Sequence, residues 1–214
     1  LTDAAAAAGK HVVCDKLMAR TIAEAEQMVV SAEQAGVMLA VFHNRRWDGD
    51  FLMARETIAR AAGSGAAAGR ADHRSATAVP SSGRLISVFA WVHSAGAPSS
   101  DKWRAQKSRG GGIFSDWGAH LMDQALLLHE GEPKLLSCNM QYAIPEIDVE
   151  TAAHAILRFP NECIHRIETN QLFHEASKGY EIWGTDGRLL ITGFDPKENE
   201  LNIAVRGTER SAPE

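Results

Sequence analysis

The chain of 214 residues is 45% hydrophobic and 23% charged, and its 22 Lys+Arg against 27 Asp+Glu leave a net charge of -5. That length suits one large domain, or one domain with part of another. The acidic balance carries no nucleic-acid footprint, no apolar run reaches membrane-spanning length and no secretory leader can be read, so neither a nucleic-acid nor a membrane partner is expected.

The chain opens on Leu1 rather than Met, and "LTDAAAAAGK" reads as the last turns of an Ala-rich helix stopping at Gly9. An N-terminally truncated polypeptide, beginning inside a domain, is therefore expected. "HVVCD" is a β-branched run of the kind that makes a buried strand. Thr21 with Glu24 three residues on is a capping-box pattern opening a helix to about Ala35, where Gly36 ends it. "VMLAVF" follows as a second strand. Helix, strand, helix, strand with short connections signals parallel βαβ winding, so residues 1–47 are expected to be part of a doubly wound sheet.

Asp48 is placed to cap the next helix, "GDFLMARETIARAA", whose Phe51, Leu52, Arg55, Ile58 and Ala59 form a mixed amphipathic pattern. Residues 63–83 carry no hydrophobic period and many Gly, Ser and Ala, and are expected to be a surface loop or an insertion. "RLISVFAWVHS" is the next strand. A buried-type helix over "GGGIFSDWGAHLMDQALLLHEG" leads to "KLLSCNMQYAI", "TAAHAILRFP", "CIHRIETNQLF", "KGYEIWGT" and "GRLLITG". Strands joined by short turns predict a mainly antiparallel sheet. In "CIHRIETNQL", Cys163, His165, Ile167, Thr169 and Gln171 share one face and Ile164, Arg166, Glu168, Asn170 and Leu172 the other. Neither face is purely apolar, so this strand is expected to border solvent or a partner on one side. Three cysteines, Cys14, Cys138 and Cys163, without a CxxC, read as reduced thiols of a cytoplasmic protein.

The helix after the three glycines concentrates the chemistry. A helix advances about 100° per residue, so Asp116, His120 and Asp123 make one polar stripe on an otherwise apolar cylinder. Carboxylates and imidazoles in such a place are costly unless they pair or serve a site. Pairing with each other and the backbone is the commoner fate. Three features favour a site. The glycines remove side chains where a ligand or backbone comes close. A helix N-terminus keeps an aspartate ionised, able to orient a nearby histidine. Lys16 directly follows the strand "HVVCD", and carboxyl ends of parallel strands are where open α/β sheets bind ligands. Asp123 is read as a packing or capping carboxylate.

"AGKHVVCDKLMA", "VFHNRRWDGDF" and "GGGIFSDWGAHLMDQ", in that order, resemble the Gfo/Idh/MocA family of glucose-fructose oxidoreductases and inositol dehydrogenases. The resemblance covers most of the chain apart from 63–83. It implies the remnant of a Rossmann NAD(P)-binding domain over 1–47, then an α/β domain with a large, mainly antiparallel, open-faced sheet over 48–214. It implies an oxidoreductase that uses NAD or NADP on a CH–OH group of a sugar, cyclitol or related polyol. By this carry-over Lys16 hydrogen-bonds the reacting oxygen, His120 is the acid/base, and Asp116 orients substrate and imidazole. Asp15, Lys16, Asn44, Arg45, Trp103 and Arg104 resemble positions lining the cofactor cleft. Relatives often pair through the sheet, so a homo-oligomer is expected.

The chain departs from the family pattern in several places. No GxGxxG follows a strand, so the pyrophosphate turn is missing and the chain by itself is expected to be inactive. Asp15 stands for the usual Glu and Leu17 for the usual Pro, and no closing helix follows the sheet. The rival reading is a non-catalytic, open-sheet dimerisation module without a cofactor site. A metal-dependent hydrolase built on Asp116 and His120 has no HExxH, HxH or paired-cysteine spacing behind it, and no metal is expected.

Overall fold

The computed structural model describes residues 1–61, 84–193 and 200–205. The expected insertion at 63–83 lies outside the described residues.

The first four elements follow the sequence in kind and order, but β1 is not the buried strand expected: with only four residues and one paired neighbour among the described residues, it leaves Val13 66% exposed. Helix α1 (Thr2–Ala7) ends ahead of Gly9, strand β1 spans Val12–Asp15, helix α2 spans Ile22–Ala35 and strand β2 spans Leu39–Phe42. Both arms of the capping box form: the Glu24 amide donates to Thr21 Oγ1 at 3.2 Å and the Thr21 amide to Glu24 Oε2 at 3.1 Å. Gly36 closes α2 at φ 63, a left-handed conformation that costs little without a Cβ. Strands β1 and β2 pair in parallel, Val12 opposite Leu39 through Asp15 opposite Phe42. This is the Rossmann-like part of the α/β fold.

A single 3-10 turn, Asn44–Trp47, leads into helix α3 (Gly49–Ala61). Its buried face is Phe51, Ala54, Thr57 and Ile58, while Arg55 is exposed and Leu52 half-buried, which corrects the face read from the sequence. Asp48 does not serve as the cap expected of it. Its carboxylate is engaged by Arg45 at 3.1 Å and by Lys178. A side chain with two cations in reach gains more from them than from a first-turn amide.

Strand β3 (Leu85–Ala95) is followed by two short 3-10 turns, Trp103–Ala105 and Lys107–Arg109. A wide π-type turn, Phe114–Gly118, then runs into helix α4 (Ala119–Leu128). Strands β4 (Lys134–Gln141), β5 (Ala152–Arg158), β6 (Ile164–Phe173), β7 (Ser177–Gly184), β8 (Gly187–Thr192) and β9 (Glu200–Val205) complete a seven-stranded sheet ordered β4-β5-β6-β3-β7-β8-β9. Every neighbouring pair is antiparallel except β3 and β6, which run parallel. The strand β9 was not anticipated, and neither was the insertion of β3 between β6 and β7. Reading strands as consecutive neighbours misses a strand that enters the sheet centre before its helix.

Helices α3 and α4 cover one face of this sheet. Phe51, Ile58, Leu121, Ala125 and Leu128 pack on Val88, Val92, Ile167, Tyr180, Ile182 and Ile191 in one core. On β6, Cys163, His165, Ile167, Thr169 and Gln171 are all buried on the helix side, while Arg166 and Leu172 are exposed on the other, as the alternation predicted. The far face carries no layer among the described residues. No helix among them is long and apolar enough to cross a membrane.

Candidate active site

Three chain segments converge where the two sheets meet. The carboxyl end of β1 supplies Asp15 and Lys16, the turn after β2 supplies His43 to Arg46, and the π turn with α4 supplies Asp116, Trp117, His120 and Asp123. Lys16 reaches across: its ammonium donates to the Asp116 carbonyl at 2.6 Å and to the Asp116 carboxylate. Arg104 Nε donates to the other carboxylate oxygen at 2.8 Å. Burial alone would raise the Asp116 carboxyl, but the hydrogen bonds and charges of Lys16 and Arg104 overcome it and hold the group below its ordinary range.

The glycines ahead of the π turn make room for close neighbours, as expected, and Gly110 also lines the cavity described below. A Cβ on Gly111 would lie 2.5 Å from the Arg104 carbonyl oxygen, and one on Gly112 would lie 2.3 Å from Glu150 Oε1. Gly111 and Gly112 thus admit protein backbone and side chain. Glu150 is buried and accepts the Phe114 amide at 2.8 Å, so a carboxylate from far along the chain occupies the start of the helical segment. Nothing local in the sequence marks Glu150 for this position.

His120 is 5% exposed. Its ring meets the edge of Trp117 at 5.9 Å and of His43 at 6.1 Å between centroids. Burial, followed by the charges of Lys16, Arg45 and His43, lowers its pKa to about 4 against the opposing pull of Asp116. The imidazole is therefore neutral at neutral pH, with a lone pair free to take a proton. The orienting hydrogen bond expected from Asp116 is not made: both of its oxygens face cations, and His120 Nδ1 is buried without a hydrogen-bond partner. Two cationic donors in reach of one carboxylate outcompete a neutral imidazole.

A cavity of about 690 Å³ opens beside this cluster, walled by Lys16, Asp116, Trp103, Arg20, Met18 and Met28 among others. His120 stands behind this wall rather than on it. Trp103 lines the cavity, and Arg104 lies over its ring at 4.4 Å. Arg45 sits 4.5 Å over the Trp117 ring and is paired with Asp48. Asp15 and Asn44 are exposed at the ends of β1 and β2, outside the cavity wall, and Asp15 accepts the Lys16 amide at 2.9 Å. Asp123 takes both arms of Arg46, at 2.8 and 2.6 Å, and its Oδ2 lies 3.6 Å from His43 Nδ1. It fastens α4 to the turn after β2, a more specific function than packing. His43 was passed over in the sequence, although the rule that selected Lys16, a polar residue at the carboxyl end of a parallel strand, applies to it equally.

Chemically, the arrangement sets an ammonium and a carboxylate on a cavity wall with a neutral imidazole at their back. Such a set can remove a proton from a hydroxyl and stabilise the oxygen left behind. Among the described residues no three His, Cys, Asp or Glu side chains gather as a metal would need.

Known proteins were compared with both sequence and fold. Residues 80–190 match the GFO/IDH/MocA C-terminal domain, and residues 1–43 match the oxidoreductase family with NAD-binding Rossmann fold. The uncharacterized oxidoreductase YdgJ of Escherichia coli K12 is 32% identical over 206 residues, which take in 96% of this chain and 54% of that protein. The scyllo-inositol 2-dehydrogenase (NADP(+)) IolW of Bacillus subtilis is 28% identical over 207 residues, 95% of this chain and 51% of that protein. The crystal structure of an NAD-binding protein from Listeria innocua superposes with a TM-score of 0.80 at 27% identity, covering 100% of this chain and 56% of that one. The chain thus spans about half the length of the curated relatives it matches.

Proposed function

Because the chain belongs to the GFO/IDH/MocA oxidoreductase family, we propose that it carries the substrate-side half of a dehydrogenase site, moving a hydride between NAD or NADP and a hydroxyl or carbonyl carbon of a sugar, cyclitol or related polyol. The observation that carries this reading is the contact of Lys16 with Asp116 on the wall of the cavity, with the neutral His120 behind it. The division into 1–47 and 48–214 belongs to the same reading and is supported by the two separate sheets. So does the cytoplasmic location expected from the cysteines.

The cavity suits a flat ring with a polar edge: Met18, Met28 and Trp103 offer apolar surface, and Lys16 and Asp116 the polar rim. When bound there, the nicotinamide supplies or accepts the hydride. Lys16 donates a hydrogen bond to the substrate oxygen as charge develops on it, and Asp116 holds that ammonium in place. His120 accepts the hydroxyl proton at a ring nitrogen. The free ring is a weak base because it is buried and because cations lie near it, and negative charge growing on the substrate oxygen offsets them when the proton moves. Trp103 is assigned to the cofactor wall, Arg104 to Asp116 and Arg45 to Trp117. Asp15 and Asn44 are left as contacts at the rim of the cleft.

In a longer polypeptide that carries the pyrophosphate turn, Lys16→Ala and His120→Ala are each expected to lower kcat by about 10²-fold or more while NADH affinity, read by fluorescence titration, changes little. Turnover of a polyol panel at wild-type rates in both variants would refute the assignment.

A further inference from the structure

The polar stripe was expected to work internally, Asp116 holding His120. With Asp116 turned to Lys16 and Arg104, the imidazole lacks that support, and Trp117 offers it only an aromatic edge. Among the described residues, His43 is the polar side chain whose ring meets that of His120. Its ring stands at 82° to the His120 ring with 6.1 Å between centroids, so one imidazole presents its edge to the face of the other. His43 makes no hydrogen bond through its buried Nδ1, and Asp123 faces it at ion-pair range. Its Nδ1 lies 3.6 Å from Asp123 Oδ2, and Asp123 is locked in both directions by Arg46. Asp123 lies on the same helix as His120, three residues on, so the two are set by one rigid element. His43 comes from the other sheet, so it can hold the His120 ring only when the two units are docked.

We infer that His43 is the positioning residue of the His120 imidazole, standing where Asp116 was expected: it fixes the ring plane by its edge contact and opposes a second proton by its proximity. This rests on reading His120 as the acid/base.

The charged groups facing the His120 ring are Lys16 from the end of β1, Arg45 and His43 from the turn after β2, and Asp116 from its own helical segment. Those facing His43 are Asp123 and, through it, Arg46. Lys16 is matched by Asp116, Arg45 by Asp48 and Arg46 by Asp123. Of the two imidazoles, His43 shares Asp123 with Arg46, while both oxygens of the Asp116 carboxylate near His120 are held by Lys16 and Arg104.

The test is a histidine titration of the protein by long-range proton–nitrogen NMR, with the His120 ring signals assigned from His120→Gln. His43→Phe keeps an aromatic edge and removes the competing charge. The His120 midpoint is expected to move up by about half a unit with its ring signals otherwise in place. His43→Ala removes the edge as well, and the ring signals are expected to broaden and shift as the imidazole reorients. In turnover assays of the longer polypeptide, kcat of His43→Ala is expected to fall about tenfold with KM for the cofactor unchanged. A His120 titration and ring spectrum identical to wild type in His43→Phe, at an unchanged amide spectrum, overturns the proposal, and this arm decides even if the alanine variant does not fold. Failure of the acid/base reading would show separately, as turnover surviving His120→Ala.

Discussion

Lys178 is 2% exposed and sits against two carboxylates, Asp48 and Asp50, with Asp50 Oδ1 at 3.1 Å. Burial raises the Asp50 carboxyl, and the ammonium works against that rise. An ammonium this deep is tolerable only because it is paired, and removing it would leave the carboxylates uncompensated. Lys178→Met is therefore expected to destabilise the fold by about 3–5 kcal/mol, and adding Asp50→Asn should recover part of that loss. Urea unfolding of the two variants measures both. Lys178 attracts no notice in the sequence, where it follows a run of small and polar residues and looks solvated. Lys16, Asp116 and His120 did stand out, because charged groups on an apolar helix or after a buried-type strand conflict with their local surroundings. That Lys16 and Asp116 hold each other did not. Pairing is decided by distance in three dimensions, which is how Asp116 comes to hold Lys16 and Arg104 while Glu150 fills the place beside Gly112.

Among the elements, α4 and β6 meet through two buried histidines. His129, just past the end of α4, and His165 in β6 share a hydrogen bond between ring nitrogens at 3.0 Å, with Phe159 stacked on His129. Burial lowers the His129 pKa to about 4 and puts that of the fully enclosed His165 well below its ordinary value. The unfolded chain takes up these protons near pH 6.5 and the folded one does not, so stability is full above that pH and falls as the pH drops from about 6.5 towards 4. His129 alone accounts for about 3 kcal/mol over this range. Urea midpoints at both ends of the window measure the loss, and His129→Gln should flatten the dependence. A pH-independent midpoint would contradict it. Element existence was legible: the capping box, the Gly36 stop and six of the seven strands of the large sheet follow from local chemistry and period. The wide π-type turn at Phe114–Gly118 was not, because the Glu150 carboxylate that accepts the Phe114 amide comes from far along the chain.

At the scale of the whole molecule, the sheet is helix-covered on one side only. Its other side gathers Phe89 stacked with Trp91 at 5.2 Å, Arg166 over Phe89, the Arg188–Glu181 pair and a Trp183 that is 44% exposed. Aromatic and arginine side chains on one broad face are the composition of an interface core. The homo-oligomer expected from the sequence would use this face. Light scattering on the eluted protein is expected to give a dimer mass, and Trp183→Glu to shift it to the monomer. A monomeric wild type at micromolar concentration would remove that expectation.

By itself the sequence determined the local matters: which segments are strand or helix, which strand faces are apolar, and which three charged residues sit where a packed element should not hold them. These follow from period, propensity and cap chemistry, which act over a few residues. The tertiary structure alone decided that β3 enters between β6 and β7, that Asp116 serves Lys16 rather than His120, that Glu150 and Lys178 are buried, and that His43 meets His120. Each of these joins groups far apart along the chain, and whether such groups come within hydrogen-bonding or packing distance depends on how the sheets and helices dock.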